Sequence, residues 1–419
     1  MQVQELLKER KQRGYEIAKK GKVILQGNNW LVPSSSTKGM YKVELKIDQS
    51  TCTCPDFQKR GIKCKHIFAV EITVEKRIDA QGNAVIIETK RITYPQNWVA
   101  YDKAQTEQKD LFMKLLYDVC QLIPEEQRPI TKGRPRMSIR DMAFVSALKV
   151  FTTFSLRRFT TDSKKAQELG YVSQVPHYST VALYIEDPKL TLILRELIRI
   201  SSMPLRTIET DFAIDSTGFR TTKFNDYCRE KHHMEKKHKW IKAHLCCGVK
   251  TNIITAVEIG NEHDTLQFIP LATQTYDNGF VIKEVSGDKA YSSKANYNAI
   301  NELGGTAYIP FKSNTKVWGS SHSRANSWSN TQSKGDKARI WRKMYRYFTY
   351  NQEEFLEHYH KRSNIESTNN MIKSKFTDLI RSKTETAQNN EVLLKVLCHN
   401  ICVVIQEMFE LGIEPNFIE

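Results

Sequence analysis

Several signals are missing from this 419-residue chain. No apolar run approaches the roughly 18 residues of a membrane-spanning helix, so no membrane span is expected. The first residues, Met1-Gln2-Val3-Gln4-Glu5, include no apolar segment that would direct secretion. Cysteine is scarce: nine residues are too few for a disulfide scaffold of this length, and three of them cluster with a histidine. That grouping reads as metal binding in a reducing compartment, which places the protein in the cytoplasm. Acidic residues are in deficit, 47 against 63 Lys+Arg, giving a formal charge of +16 and a pI near 9.3. This excess favours a polyanionic partner, nucleic acid before an anionic membrane. No internal repeat is present, so a solenoid is not expected.

What is present divides into regions. Residues 1–80 read as a small module: a basic amphipathic helix over 1–20, strands at Val23–Val32 and Tyr41–Ile47, a cysteine cluster, and a short helix from Ile67. A linker or helical extension follows over 81–130. Residues 131–206 read as a helical DNA-binding region, with Ser138 and Asp141 forming a capping box. From 207 to 400 the texture becomes three strands, a helix, then alternating strands and helices, which fits a mixed α/β sheet flanked by helices. The expected strands are Thr207–Asp215, Trp240–Val249, Ile253–Ile259, Phe280–Val285 and Thr306–Pro310. The expected helices are Asp264–Gln274 and Ser292–Glu302. Long helices follow from about 351, and 401–419 closes the chain.

Cys52, Cys54, Cys64 and His66 form a C-x-C…C-x-H group. Three sulfurs and one imidazole suit a closed tetrahedral Zn²⁺ site, and a small hairpin module gains folding free energy from such a metal. The group resembles a SWIM-type zinc finger over about residues 20–75. That resemblance implies a small module that contacts DNA or protein. Lys59, Arg60, Lys63 and Lys65 suit phosphate contact, and a protein-contact role is equally open.

Two aspartates stand where strands run into small-residue turns. Asp215 lies in Ile214-Asp215-Ser216-Thr217-Gly218, and Asp288 in Ser286-Gly287-Asp288-Lys289-Ala290-Tyr291. Each such residue is also the type found at N-caps and turns. Glu209, Asp211 and Asp215 share one strand face, so Asp211 competes for the same role; position at the strand terminus favours Asp215. Downstream, Tyr359, Arg362, Glu366 and Lys373 spell Y-x2-R-x3-E-x6-K. On a helix the last three fall close to one face, placing a carboxylate between two cations. Such a carboxylate can hold a cation while Arg and Lys hold phosphate oxygens.

These three segments resemble a DDE transposase of the insertion-sequence type with the Y-R-E-K signature, over about residues 130–410. The resemblance implies an RNase H-like catalytic core, two divalent ions (Mg²⁺ or Mn²⁺), and cutting and joining of DNA at transposon ends. It makes Asp215, Asp288 and Glu366 the metal ligands, and Tyr359, Arg362 and Lys373 contacts to the DNA end. The partners so implied are double-stranded DNA (terminal inverted repeats and target) and a second copy of the chain in a synaptic dimer. The setting implied is a prokaryotic nucleoid. Two other classes stay open: a transposase-derived DNA-binding regulator that does not cleave, and an RNase H-like nuclease without end specificity.

Further DNA contacts are expected in the insertion 312–349, which carries nine Lys/Arg against Asp336 alone. Trp318, Trp328 and Trp341 are interleaved there. Base stacking on these rings and packing of Trp341 in the core are both open. Lys132-Gly133-Arg134-Pro135-Arg136 resembles a minimal AT-hook, with Arg134 and Arg136 entering a minor groove. Cys228, His232, His233 and His238 read as a basic hairpin rather than a second zinc site. Cys246, Cys247, Cys398 and Cys402 fall in apolar patterns and are expected in the core.

Overall fold

The computed structural model describes residues 2–19, 23–26, 29–34, 39–44, 50–78, 84–89, 97–125, 137–222, 240–312, 315 and 331–418. Arg134, Arg136, Trp318, Trp328, Cys228, His232, His233 and His238 lie outside them. The chain forms two compact units, residues 1–97 and 98–419.

In the first unit, α1 (Gln2–Lys19) precedes a four-stranded antiparallel sheet. Its strands are β1 (Ile24–Gln26), β2 (Asn29–Pro33), β3 (Met40–Glu44) and β4 (Thr51–Cys52), in that order across the sheet. The stretch expected as one strand, Val23–Val32, is therefore a hairpin. Trp30, Val32 and Val43 alternate inward, as half-buried strands require. Two helices follow, α2 (Pro55–Arg60) and α3 (Lys65–Thr73). Helices α1 and α3 approach so closely at Gly14 that a Cβ there would sit 2.7 Å from the Phe68 Cβ. Only glycine permits that contact. Arg10 pins the other end of the pair, donating to Lys63 O at 3.1 Å and to Asp56 Oδ1 at 2.8 Å. Part of the expected linker is a second hairpin, β5 (Val74–Ile78) with β6 (Ala84–Thr89).

The second unit is a mixed five-stranded sheet covered by helices on both faces. Helices α4 (Trp98–Thr106), α5 (Gln108–Gln121), α6 (Ile139–Phe151), α7 (Leu156–Glu168), α8 (Tyr178–Glu186) and α9 (Pro188–Ser202) precede it. The Ser138 hydroxyl caps α6 by accepting from Asp141 N at 3.0 Å. Asp141 does not return the bond; its carboxylate accepts from Ser173 N and the Ser173 hydroxyl instead.

Strands β7 (Asp211–Arg220), β8 (Trp240–Gly248) and β9 (Ile254–Ile259) form an antiparallel meander. Helix α10 (Asp264–Asp277) leads to β10 (Glu284–Gly287), and α11 (Lys294–Glu302) leads to β11 (Thr306–Tyr308). The order is β11-β10-β7-β8-β9, with β10 and β11 parallel to β7. Strand β10 is shorter and later than the apolar run Phe280–Val285, because Phe280 and Ile282 pack in the core before the ladder begins. Helices α12 (Thr331–Tyr350), α13 (Gln352–His360), α14 (Ser363–Phe376) and α15 (Glu385–Glu410) complete the unit.

Alternation along β7 divides the core. Ala213 and Phe219 face one apolar cluster, which includes Ile365, Ile372 and Phe376 of α14 and much of α15. Phe212 and Ile214 face a second cluster built from α10, α11 and α12. Helix α15 is long and apolar enough to cross a membrane, contrary to the expectation from apolar runs. It is instead the central core helix, packed against α4, α5, α6, α8 and α9. Cys246, Cys247, Cys398 and Cys402 are buried, as expected.

Edge strand β9 is closed to further pairing by side chains. Asn400 accepts from Ile254 N at 2.9 Å and donates to Ile254 O at 2.8 Å. Asn278 donates to Thr255 O, Gln274 accepts from Val257 N, and Arg195 donates to Val257 O.

Candidate active site and metal centre

In the first unit, the end of β4 supplies Cys52, and Cys54 caps α2, accepting from Phe57 N at 3.4 Å. Cys64 and His66 lie at the start of α3. All four side chains are buried, and their ligand atoms lie within 4.8 Å of one another. The His66 Nδ1 stands 3.9 Å from the Cys52 sulfur and 3.8 Å from the Cys64 sulfur. Ligands about 2.3 Å from a tetrahedral Zn²⁺ sit about 3.8 Å apart, so this donor set fits the ion. The thiols also differ in acidity. The hydrogen bond from Cys52 holds the Cys64 thiol down at about 4, while the same bond and burial push Cys52 up.

In the second unit, sheet register brings two aspartates together. Gly287 of β10 pairs with Ile214 of β7 in parallel, so the next residues, Asp288 and Asp215, fall on neighbouring positions about 5 Å apart along the ladder. Asp215 is not at a strand terminus, as the sequence suggested; β7 continues to Arg220 alongside β8. The parallel neighbour is what ends there, leaving the crevice outside its carboxyl end where α/β sheets place chemistry. Both aspartates are oriented alike: Asp215 Oδ1 accepts from Ser216 N at 2.9 Å, and Asp288 Oδ1 from Lys289 N at 2.5 Å. The turn role weighed for such residues is thus real for Asp288, and it occupies one oxygen.

Glu366 arrives from α14. The expected single helix is broken at Lys361 and Arg362, so Tyr359 belongs to α13 while Glu366 and Lys373 belong to α14. Helix α14 is anchored to the β8–β9 turn, with Asn364 Nδ2 donating to Val249 O and the Thr368 hydroxyl to Asn252 Oδ1. Arg362 sits at the break and spans the two carboxylates: Nη1 is 3.0 Å from Asp215 Oδ2 and Nη2 is 2.5 Å from Glu366 Oε1. Its guanidinium also lies 6.0 Å from the Tyr359 ring centre. Burial raises the Asp215 carboxyl, the Ser216 amide and Arg362 oppose this, and the charges of Asp288 and Glu366 reinforce it. Arg362 thus links Asp215 to Glu366, whose side chain is 60% exposed, while register sets Asp288 beside Asp215; carboxylate oxygens are the donors that hard divalent cations take.

Lys373 lies further along α14, its ammonium 5.7 Å from the Phe219 ring centre; burial lowers it. The rival Asp211 is committed elsewhere. Lys361 Nζ stands 2.6 Å from Asp211 Oδ2 and 2.7 Å from Glu284 Oε2, at the opposite end of the parallel strands. Glu209 is buried and structural, accepting from Thr251 N at 2.5 Å, the Thr251 hydroxyl at 2.7 Å and Lys250 N. Trp341 is buried against Tyr297 and Phe311, which makes it a core residue rather than a stacking platform.

Sequence reasoning missed Asp264. At the start of α10, Asp264 Oδ1 lies 2.7 Å from Lys242 Nζ and 3.4 Å from the Nδ1 of the buried His244. An aspartate opening a helix gives no signal in sequence beyond that of an ordinary first-turn residue.

Strand order and crevice define an RNase H-like α/β domain. Compared with known families, residues 206–401 match the transposase DDE domain, and residues 41–75 match the SWIM zinc finger. This chain carries a transposase DDE domain behind a SWIM zinc finger.

Proposed function

We propose that this protein cuts DNA at the ends of a mobile element and joins those ends to target DNA. The observation that carries the proposal is the register of Gly287 with Ile214, which sets Asp288 beside Asp215, together with Arg362 spanning Asp215 and Glu366. In this reading Asp215, Asp288 and Glu366 hold two divalent cations, Mg²⁺ or Mn²⁺. When bound, these supply the charge that an in-line displacement at phosphorus requires. The residues do the positioning. Asp288, turned by the following amide, keeps one oxygen for the ligand; Asp215, turned the same way, offers its second oxygen when Arg362 moves off it. Tyr359, Arg362 and Lys373 hold phosphate oxygens of the DNA end; Arg362 exchanges a carboxylate for phosphate as the duplex docks. In cleavage a water oxygen bonds to phosphorus, loses a proton, and the 3′ oxygen leaves and takes one up as a hydroxyl; in joining, that 3′ hydroxyl bonds to a target-strand phosphorus and the target's own 3′ oxygen leaves as the new hydroxyl. No protein nucleophile is needed.

We further assign the SWIM module a Zn²⁺ ion and a DNA contact, the protein a homodimeric synaptic complex, and its setting a prokaryotic nucleoid. The deciding experiment is a Mg²⁺- or Mn²⁺-dependent nicking assay on DNA bearing the inverted repeats that flank the coding region. Cutting confined to those ends supports the proposal. Equal cutting of random DNA would favour a general nuclease, and tight binding without cutting a regulator.

A further inference from the structure

Four arginines of the second unit stand against carboxylates: Arg195 with Glu258, Arg199 with Glu196, Arg220 with Asp378, and Arg362 with Asp215 and Glu366. Three exposed arginines, Arg157, Arg158 and Arg381, differ. Among the described residues their guanidinium groups meet neutral partners. That of Arg158 lies 4.7 Å from the Phe154 ring centre, and that of Arg157 lies 4.9 Å from the Tyr178 ring centre. Arg381 Nη1 donates to Thr153 O at 2.8 Å and to Phe154 O at 3.3 Å. Such partners hold a cation in place without neutralising it, and an arginine so held suits a phosphate. The turn between α6 and α7 is held too: Thr153 has a φ of 55°, a left-handed conformation that a β-branched residue rarely enters. Two helical turns on, Lys164 and Lys165 repeat the exposed positions of Arg157 and Arg158 on α7. The nearby acids are committed. Asp162 pairs with Lys109, Asp378 with Arg220, and the Glu391 carboxylate accepts from Arg381 N and Ser382 N. Glu168 is the one exposed acid of α7, at its far end.

This basic corner continues from the carboxylate crevice. Asp215, Thr217 and Phe219 alternate along β7, so Phe219 lies about 13 Å beyond Asp215 on the same face, and Lys373 stands over its ring. The end of β7 then bonds to the segment that follows α14: Arg220 N donates to Asp378 O at 2.8 Å, and Ile380 N donates to Arg220 O at 2.7 Å. Arg381 comes next in the chain and reaches the Thr153–Phe154 turn.

We propose that Arg157, Arg158 and Arg381, extended by Lys164 and Lys165, form a second DNA-backbone surface. It takes a stretch of the same duplex beyond the phosphate held in the crevice. This rests on the reading of the crevice as a DNA-cutting site. The contacts are to phosphate oxygens, so they position the duplex without reading its sequence. The stretch belongs either to the element or to the DNA flanking it.

The double variant Arg157→Gln/Arg158→Gln tests this by DNA binding without divalent cations. Both residues are exposed, so its thermal midpoint should match that of the parent. On long end DNA, the slope of log affinity against log salt should become shallower by about 2, about one unit per lost contact. Arg157→Lys/Arg158→Lys keeps the charge and should keep most of the parental slope. Removing the DNA arm that lies on the corner should make parent and double variant bind alike, which identifies the arm as element or flank. A parental slope in the double variant would overturn the proposal. So would a difference that survives removal of either arm, because the two arginines would then act at the cut phosphate itself. Asp288→Asn separates the two levels of inference, and should bind long end DNA with the parental slope while it ceases to nick. If the parent nicks end DNA and the double variant keeps the parental slope, the corner fails and the cutting site stands. If the parent binds no DNA, both fail.

Discussion

Gly287 pairs with Ile214 across two parallel strands, and each is followed by an aspartate. The backbone therefore fixes the Asp288–Asp215 spacing, and the side chains need only turn onto the next amide. Asp215→Asn, Asp288→Asn and Glu366→Gln preserve shape and remove charge. Each is expected to lower metal-dependent nicking by at least about 1,000-fold while leaving end-DNA affinity within a few-fold. Nicking that survives in any of the three would remove that residue from the metal site.

The zinc centre makes a separate prediction. Cys64→Ser removes one of the four clustered ligand atoms. Zinc measured by mass spectrometry should fall from about one per chain to none, since structural zinc needs its fourth ligand. Amide exchange should speed up within residues 1–97 and stay unchanged in 98–419, the two compact units. Zinc retained at full occupancy would refute the ligand set.

Asn400 is fully buried and satisfies both backbone groups of Ile254 on edge strand β9. Asn400→Ala leaves a buried N–H and C=O unpaired. The expected loss is about 2–6 kcal/mol, from about 1–3 kcal/mol for each of the two orphaned groups. Urea unfolding monitored by fluorescence measures it; a loss below about 0.5 kcal/mol would show that water or a local shift replaces the amide.

Glu407, near the end of α15, has its carboxyl raised to about 7, by burial first and then by Glu410 and Glu209. Its unfolded value is near 4.5. Between those values the folded state holds a proton that the unfolded chain releases, so this group's contribution to stability falls as pH rises from 4.5 to 7. The shift amounts to about 3 kcal/mol at pH 8. Glu407→Gln should therefore raise stability at pH 8 by up to that amount and change little at pH 4.5. Equal effects at both pH values would contradict the assignment.

Much of this protein was legible before any fold was known. The C-x-C…C-x-H group and the Y-R-E-K signature each lie within about 15 residues, so spacing alone carries their chemistry. Strands β8 and β9 and the start of α10 follow from local alternation and a helix-start aspartate. What was not legible has one cause. Whether Asp211 or Asp215 faces the crevice depends on where β10 stops, some 70 residues later, and on Lys361, which claims Asp211.

The chain's own order of residues determined the ligand types, the positive charge and the sequence of strands and helices, because those depend on neighbours a few positions apart. Only the tertiary structure decided that Asp288 falls beside Asp215, that Trp341 is core, and that Arg362 stands at a helix break. Register, burial and the end of a pairing strand are relations between distant segments, and no single segment contains them.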